Sequence, residues 1–197
     1  MQSPGKRICV FTGSNPGTLP DYRAAAWAFG EGLVARGYGL VYGGGKVGLM
    51  GTVADAVLGA GGSAVGVIPR ALMDKEVAHN GLDELEIVSS MHERKQRMAE
   101  LAHAFVAMPG GMGTLEELSE VLTWAQLGIH AKPCGILNVR GYFDSFLAHL
   151  DRGVEHRFVR PEHRSILQVA DTPARLLDLL ETYEPAHVGK WLDRDQT

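Results

Sequence analysis

The sequence predicts one α/β domain, a doubly wound, mostly parallel sheet of about seven strands in a Rossmann-like arrangement. Two observations carry that expectation. Short apolar runs alternate with helical stretches along the chain, and glycines cluster directly after several of those runs. The second matters because such sheets bind ligands at the carboxyl ends of their strands. A length of 197 residues suits one domain with a full core. No internal repeat, low-complexity segment or domain boundary interrupts it, so residues 1–183 are expected to form the domain and 184–197 a polar tail.

The elements follow in order. Ile8, Cys9, Val10 and Phe11 form the first apolar run, followed by a loop, Thr12-Gly13-Ser14-Asn15-Pro16-Gly17. A helix over 20–36 has Pro20 in its first turn and Gly37 as its stop. Strand 40–42 leads into Gly43-Gly44-Gly45-Lys46-Val47-Gly48 and a helix reaching about residue 60. Strand 64–68 precedes a polar, irregular stretch, 69–84, which reads as a candidate lid or partner-facing loop. Strand 85–88, helix 91–101, strand 104–108 and helix 115–127 come next. Strand 134–137, helix 142–153, strand 166–169 and helix 172–182 complete the domain.

Composition excludes several classes. Apolar residues make up 45% and charged residues 21%, ordinary values for a globular protein, and the net charge of −4 with no long basic run argues against nucleic acid or a membrane surface. No stretch approaches the length of a membrane helix, and Lys6-Arg7 precede only four apolar residues, so the start reads as a strand rather than a signal peptide. Cys9 and Cys134 lie in apolar runs and read as buried thiols of a reducing cytoplasm. The eight histidines are scattered without metal-ligand spacing, so no metal is expected.

One stretch organises the chain: Pro109-Gly110-Gly111-Met112-Gly113-Thr114-Leu115-Glu116-Glu117. A strand, three glycines and a helix start make a place for phosphate. Glycine lets the backbone approach an anion, and the first N–H groups of a helix lack intrahelical partners at the positive end of its dipole. Thr114 is placed to cap the helix or to bond a phosphate oxygen, and Glu117 stands at capping-box spacing from it. On a helical wheel Glu117 also sits at the shoulder of the Leu115, Leu118, Leu122 and Ala125 face, from which it could reach whatever the loop holds. Both readings stand on the sequence alone.

Other motifs sort less evenly. Gly43-x-Gly45-x-x-Gly48 matches a dinucleotide fingerprint. However, the following strand ends at Pro69-Arg70 with no acid for the ribose, and the match is not in the first strand-to-helix turn, which argues against a nicotinamide cofactor. Lys46 is followed by Val47, so the loop is not a Walker loop either. In Met91-His92-Glu93-Arg94-Lys95-Gln96-Arg97, a solvated helix face with Glu93 and Arg97 paired accounts for Arg97. Arg94 shares its face with apolar Met98 and Leu101 and suits a planar anionic or heteroaromatic ligand.

Together these stretches resemble a known family. Pro109 to Glu117 fits P-G-G-x-G-T-x-x-E, and Met91 to Lys95 fits M-H-x-R-K before it. The Tyr42-Gly43-Gly44-Gly45, Gly48-Leu49-Met50-Gly51 and Thr123-to-His130 text is similar too. The chain resembles the LONELY GUY family, the cytokinin riboside 5′-monophosphate phosphoribohydrolases, proteins often labelled lysine decarboxylases. The resemblance covers about residues 8–181.

It implies hydrolysis of the N-glycosidic bond of N6-modified adenosine 5′-monophosphates or AMP, giving free base and ribose 5-phosphate. It also implies a homodimer and no metal or organic cofactor. No lysine stands out as the Schiff-base residue that a pyridoxal-phosphate decarboxylase needs. By this resemblance Glu117 and Arg94 are catalytic. Gly110, Gly111, Gly113 and Thr114 hold the 5′-phosphate, and Met112, Leu115 and Glu116 belong to the same substrate-binding stretch. Glu76 and Lys95 touch substrate by the same analogy. Ser14, Gly44 and Gly45 are added as positions at strand ends. The main rival is a non-catalytic nucleotide or molybdenum-cofactor carrier, since those proteins look alike.

Overall fold

The computed structural model describes residues 5–73 and 77–185. Glu76 and residues 186–197 of the expected tail lie outside that range. Among the described residues, one sheet contains seven parallel strands: β1 (Arg7–Phe11), β2 (Gly39–Tyr42), β3 (Ala64–Pro69), β4 (Glu84–Val88), β5 (Ala104–Ala107), β6 (Cys134–Leu137) and β7 (Leu167–Ala170). Their spatial order is β4-β3-β2-β1-β5-β6-β7. The chain therefore winds outward from β1 to one edge, crosses back, and winds from β5 to the other edge. The reversal between β1 and β5 is the switch point, and sheets of this kind bind their ligands at the strand ends there.

Side chains on β1 alternate between the two faces, as the period of two requires. Ile8 and Val10 join the layer under α1 (Pro20–Ala35), α2 (Gly48–Gly59) and α7 (Pro173–Glu181), packed with Phe29, Leu33, Val53, Val57 and Leu177. Cys9 and Phe11 join the opposite layer under α3 (Met91–Leu101) and α4 (Met112–Gln126), with Met98, Phe105 and Val121. Cys9, Phe105 and Cys134 lie side by side on β1, β5 and β6, and both thiols are free and buried. The helix α5 (Asp144–Glu155) lays Phe146, Leu147 and Leu150 over Leu118 and Ile136.

The stop signal read at Gly37 has a defined geometry. Gly37 takes φ 76°, its N–H donates to the Val34 carbonyl at 3.0 Å, and the Tyr38 N–H donates to that of Leu33 at 2.9 Å. That is a Schellman cap, which satisfies the last carbonyls of α1 and turns the chain straight into β2.

Three local expectations are corrected. The stretch 142–153 gives a helix only from Asp144, because Asn138 and Asp144 brace the preceding loop: the Asn138 Oδ1 accepts from the Phe143 N–H at 2.8 Å and its Nδ2 donates to Asp144 at 2.8 Å. A short helix, α6 (Pro161–Arg164), was not anticipated. Arg97 does not pair with Glu93. The Glu93 carboxylate folds back to the Ser89 N–H at 2.7 Å and the Ser89 hydroxyl at 2.5 Å, so Arg97 donates instead to Glu86 on β4 at 2.6 and 2.8 Å and to Glu100 at 3.3 Å.

α1 crosses α2 at Gly30, where an added Cβ would come within 2.7 Å of the Ala56 Cβ and 2.8 Å of the Val53 carbonyl oxygen. Backbone lies on one side, so the neighbour cannot yield cheaply. Gly30→Val is expected to destabilise the fold by about 1–3 kcal/mol through overpacking, read as a lower urea midpoint at an unchanged slope.

Candidate functional site at the switch point

The loops after β1 and β5 are bound to each other. The Pro109 carbonyl accepts from the Gly13 N–H at 3.0 Å and from the Thr12 hydroxyl at 2.9 Å. The Gly13 carbonyl in turn accepts from the Leu49 and Met50 N–H groups at 3.0 and 3.3 Å, which caps the first turn of α2. Gly48, at φ 66°, lies so close to the Ser14 backbone that no Cβ fits there. Ser14 itself lines the cavity that these loops enclose.

That cavity has a volume of about 330 Å³. Gly111, Met112, Gly113 and Thr114 line one side of it, so the first turn of α4 faces it directly. Here the expected helix boundary is corrected. α4 begins at Met112, with Gly111 as its N-cap in extended conformation and no side-chain cap. Gly110 and Gly111 make the turn, and Gly113 is already helical despite its low propensity. Thr114 is therefore not a cap. It is buried in the third position of the helix, its hydroxyl pressed against Gly110. Glu117, six residues into α4, cannot be a capping acid either; its side chain is half-buried and lines the cavity. Glu116 lines the rim, Met112 is 81% exposed, and Leu115 turns away to pack with Leu118 and Ile136.

Arg94 comes from α3, whose N-terminus is capped by the Ser90 hydroxyl accepting from the Glu93 N–H at 3.1 Å. The Arg94 side chain is 4% exposed and lines the cavity. Its Nε donates to the Val67 carbonyl at 3.0 Å and its Nη2 to the Gly43 carbonyl at 2.7 Å. Val67 lies in β3 and Gly43 just past β2, so the sheet aims the guanidinium, while its Nη1 also reaches the Met91 sulfur of its own helix at 3.8 Å. Gly43 is obligatory for this, because a Cβ there would collide with Nη2. Beneath, burial pushes the Cys9 thiol well up; the Glu117 carboxylate adds to that effect while Arg94 and Lys132 oppose it. The carboxylate and the guanidinium thus both lie near enough to influence the thiol in the middle of β1.

The remaining expected residues are distributed differently. Gly44 and Gly45 are buried behind the cavity: the Gly44 carbonyl accepts from the His79 N–H at 2.9 Å, and Gly45 bridges Ala78. Within the stretch read as a lid, residues 77–79 therefore pin the glycine loop. His79 is held there by Asp55 at 3.0 Å, with its Nδ1 accepting from the Gly81 N–H. The part of the loop that reaches the cavity is Gly43. Lys95 points to α4, donating to Glu116 at 2.5 Å and Glu120 at 3.0 Å. Hydrogen bonds to these two acids hold its ammonium charged, its pKa raised even though burial opposes that.

Sequence reasoning missed the apolar wall of Met50, Leu72 and Met91 and the Tyr142 hydroxyl, which donates to the Gly110 carbonyl at 2.6 Å. The apolar character of Met50, Leu72 and Met91 was visible, but no short-range signal joins them to one cavity or ties Tyr142 to Gly110. Among the described residues, no group of three or more His, Cys, Asp or Glu side chains is placed to hold a metal ion, and no helix is long and apolar enough to cross a membrane.

The position of the cavity defines the class: an α/β protein with an anion-receptive helix terminus at the switch point of its sheet. Comparison with known proteins narrows it. A family model described as "Possible lysine decarboxylase" matches residues 50–180. A probable cytokinin riboside 5′-monophosphate phosphoribohydrolase of Oryza sativa subsp. japonica is 51% identical over 187 residues, covering 95% of this chain and 75% of that protein. A cytokinin riboside 5′-monophosphate phosphoribohydrolase of Arabidopsis thaliana is 49% identical over 187 residues, covering 95% of this chain and 88% of that protein. The chain belongs to this family, the LONELY GUY phosphoribohydrolases. Among solved structures, the molybdenum cofactor carrier protein of Chlamydomonas reinhardtii superposes with a TM-score of 0.68 at 21% identity, over 89% of this chain and 96% of that one, a likeness of fold alone.

Two glycines of the loop should respond oppositely to alanine. A Cβ on Gly110 would strike the Thr114 hydroxyl and come within 2.8 Å of the Gly13 nitrogen, whereas nothing lies within 4 Å of one on Gly113. Gly110→Ala is expected to lose about 1–3 kcal/mol by overpacking, and Gly113→Ala to gain up to about 1 kcal/mol of helix propensity, both read from urea denaturation.

Proposed function

We propose that this protein hydrolyses the N-glycosidic bond of adenosine 5′-monophosphates, N6-modified or plain, releasing the free base and ribose 5-phosphate. The observation that carries the reading is the convergence, in one cavity, of the α4 N-terminus, the buried Arg94 and the Glu117 carboxylate. Relatives about half identical in sequence are named cytokinin riboside 5′-monophosphate phosphoribohydrolases.

The chemistry suits the parts. The amides of Gly111, Gly113 and Thr114 receive the 5′-phosphate, an anion at a helix N-terminus. The base rests against Met50, Leu72, Met91 and Met98, a wall of flexible side chains able to accept an N6 substituent. As the bond from C1′ to the purine nitrogen breaks, its electron pair leaves with the base and the sugar becomes positive at C1′. Glu117 faces that charge and takes the proton of the water that attacks C1′. Arg94, fixed on two carbonyls, stabilises the negative charge of the departing base. The carrier reading is less well supported, since nothing in it requires a carboxylate beside the sugar.

We further propose that the enzyme works as a homodimer in the cytoplasm. Met112, Leu127 and Ile129, exposed at the two ends of α4 by 81%, 46% and 65%, are suited to cover one another in a pair, and two free thiols suit a reducing compartment.

The test is release of adenine and ribose 5-phosphate from AMP and isopentenyl-AMP. Glu117→Gln is expected to lower kcat about 10²- to 10⁴-fold with the fold intact, and wild-type turnover in that variant would remove Glu117 from the chemistry. Arg94→Ala is expected to lower kcat as well; an effect on KM alone would make its role one of binding.

A further inference from the structure

We propose that Tyr142 is a positioning residue for the phosphate-binding turn, acting through the peptide that joins Gly110 to Gly111. The inference rests on the reading of that turn as a phosphate site.

Tyr142 lies in the loop after β6, outside the cavity lining among the described residues. Its hydroxyl donates to the Gly110 carbonyl at 2.6 Å. In a trans peptide the carbonyl and the N–H that follows it point in opposite directions. Holding the Gly110 carbonyl outward on Tyr142 therefore aims the Gly111 N–H inward, and Gly111 does line the cavity. The preceding peptide is fixed in the same manner, because the Pro109 carbonyl is held by the Gly13 N–H and the Thr12 hydroxyl. Two successive amides are thus oriented by grips on their carbonyls, one from the loop after β1 and one from the loop after β6.

The arm that carries Tyr142 is built with some backbone strain. Arg140 takes a left-handed φ of 55°, unusual for a residue with a side chain, and Gly141 follows at 71°. Arg140 is tied to Asp21 of α1 at 3.5 Å, and Asn138 braces the loop through Phe143 and Asp144. The Tyr142 ring stands edge-on to Tyr22 at 5.7 Å and to Phe143 at 5.0 Å between centroids. These contacts fix the ring while it remains 44% exposed, so core packing does not account for its placement.

Tyr142→Phe removes the hydroxyl and keeps both ring contacts. Product inhibition separates the two halves of the cavity: ribose 5-phosphate reports on the turn, adenine on the base wall. In the variant, inhibition by ribose 5-phosphate is expected to weaken about 3- to 10-fold, the scale of one lost hydrogen bond, with adenine inhibition unchanged and the melting temperature lowered by only a few degrees. KM for AMP should rise more than kcat falls. Unchanged inhibition by ribose 5-phosphate, or a parallel loss for both ligands, would overturn the proposal. If wild-type protein releases no adenine from AMP, the hydrolase reading fails by itself. Calorimetry with AMP and adenosine then decides the present point: a preference for AMP that shrinks in Tyr142→Phe supports it, and an equal preference in both proteins contradicts it.

Discussion

The site depends on the closeness with which the backbone passes Gly110. That residue is wedged between the Thr114 hydroxyl and the Gly13 amide, with no room for a Cβ. The wedge joins the two halves of the sheet, since Gly13 follows β1 and Gly110 follows β5. α4 begins two residues beyond Gly110, at Met112, three residues earlier than the start at Leu115 that the sequence suggests, and its first amides face the crevice. Any side chain at this point would part the two loops and the helix terminus from the strand ends that hold them.

Charge is placed by the same logic. A guanidinium that is 4% exposed needs partners, and the sheet supplies the carbonyl of Val67 in β3 and that of Gly43 just past β2. Gly43 makes room for that contact, and residues 77–79 hold the glycine loop from behind. Lys95, one residue along α3, faces the other way and ties Glu116 and Glu120 to α3. Adjacent cations on one helix thus serve the cavity and its rim.

Much of this was legible in the sequence, for identifiable reasons. Strands buried in a parallel sheet read as unbroken apolar runs, and Gly37 marks the end of α1 because positive φ favours glycine. Arg94 and Glu117 were legible because the motifs around them are local. The start of α4 was not, since three glycines in four residues read as loop until the Gly13 contact is known. The partner of Arg97 was misread because Glu93 finds Ser89 closer at hand. The Gly43–Arg94 and Tyr142–Gly110 bonds join residues 51 and 32 positions apart, and no periodicity reports contacts at that range.

The central claim is that a nucleoside monophosphate lies across the switch point with its phosphate on the α4 terminus and its anomeric carbon beside Glu117. A crystal structure of Glu117→Gln with AMP bound tests this most directly. The account predicts phosphate oxygens within about 3 Å of the Gly111, Gly113 and Thr114 nitrogens and C1′ facing the residue 117 side chain. AMP seated elsewhere, or turned with its base on the glycine turn and its ribose remote from residue 117, would contradict it.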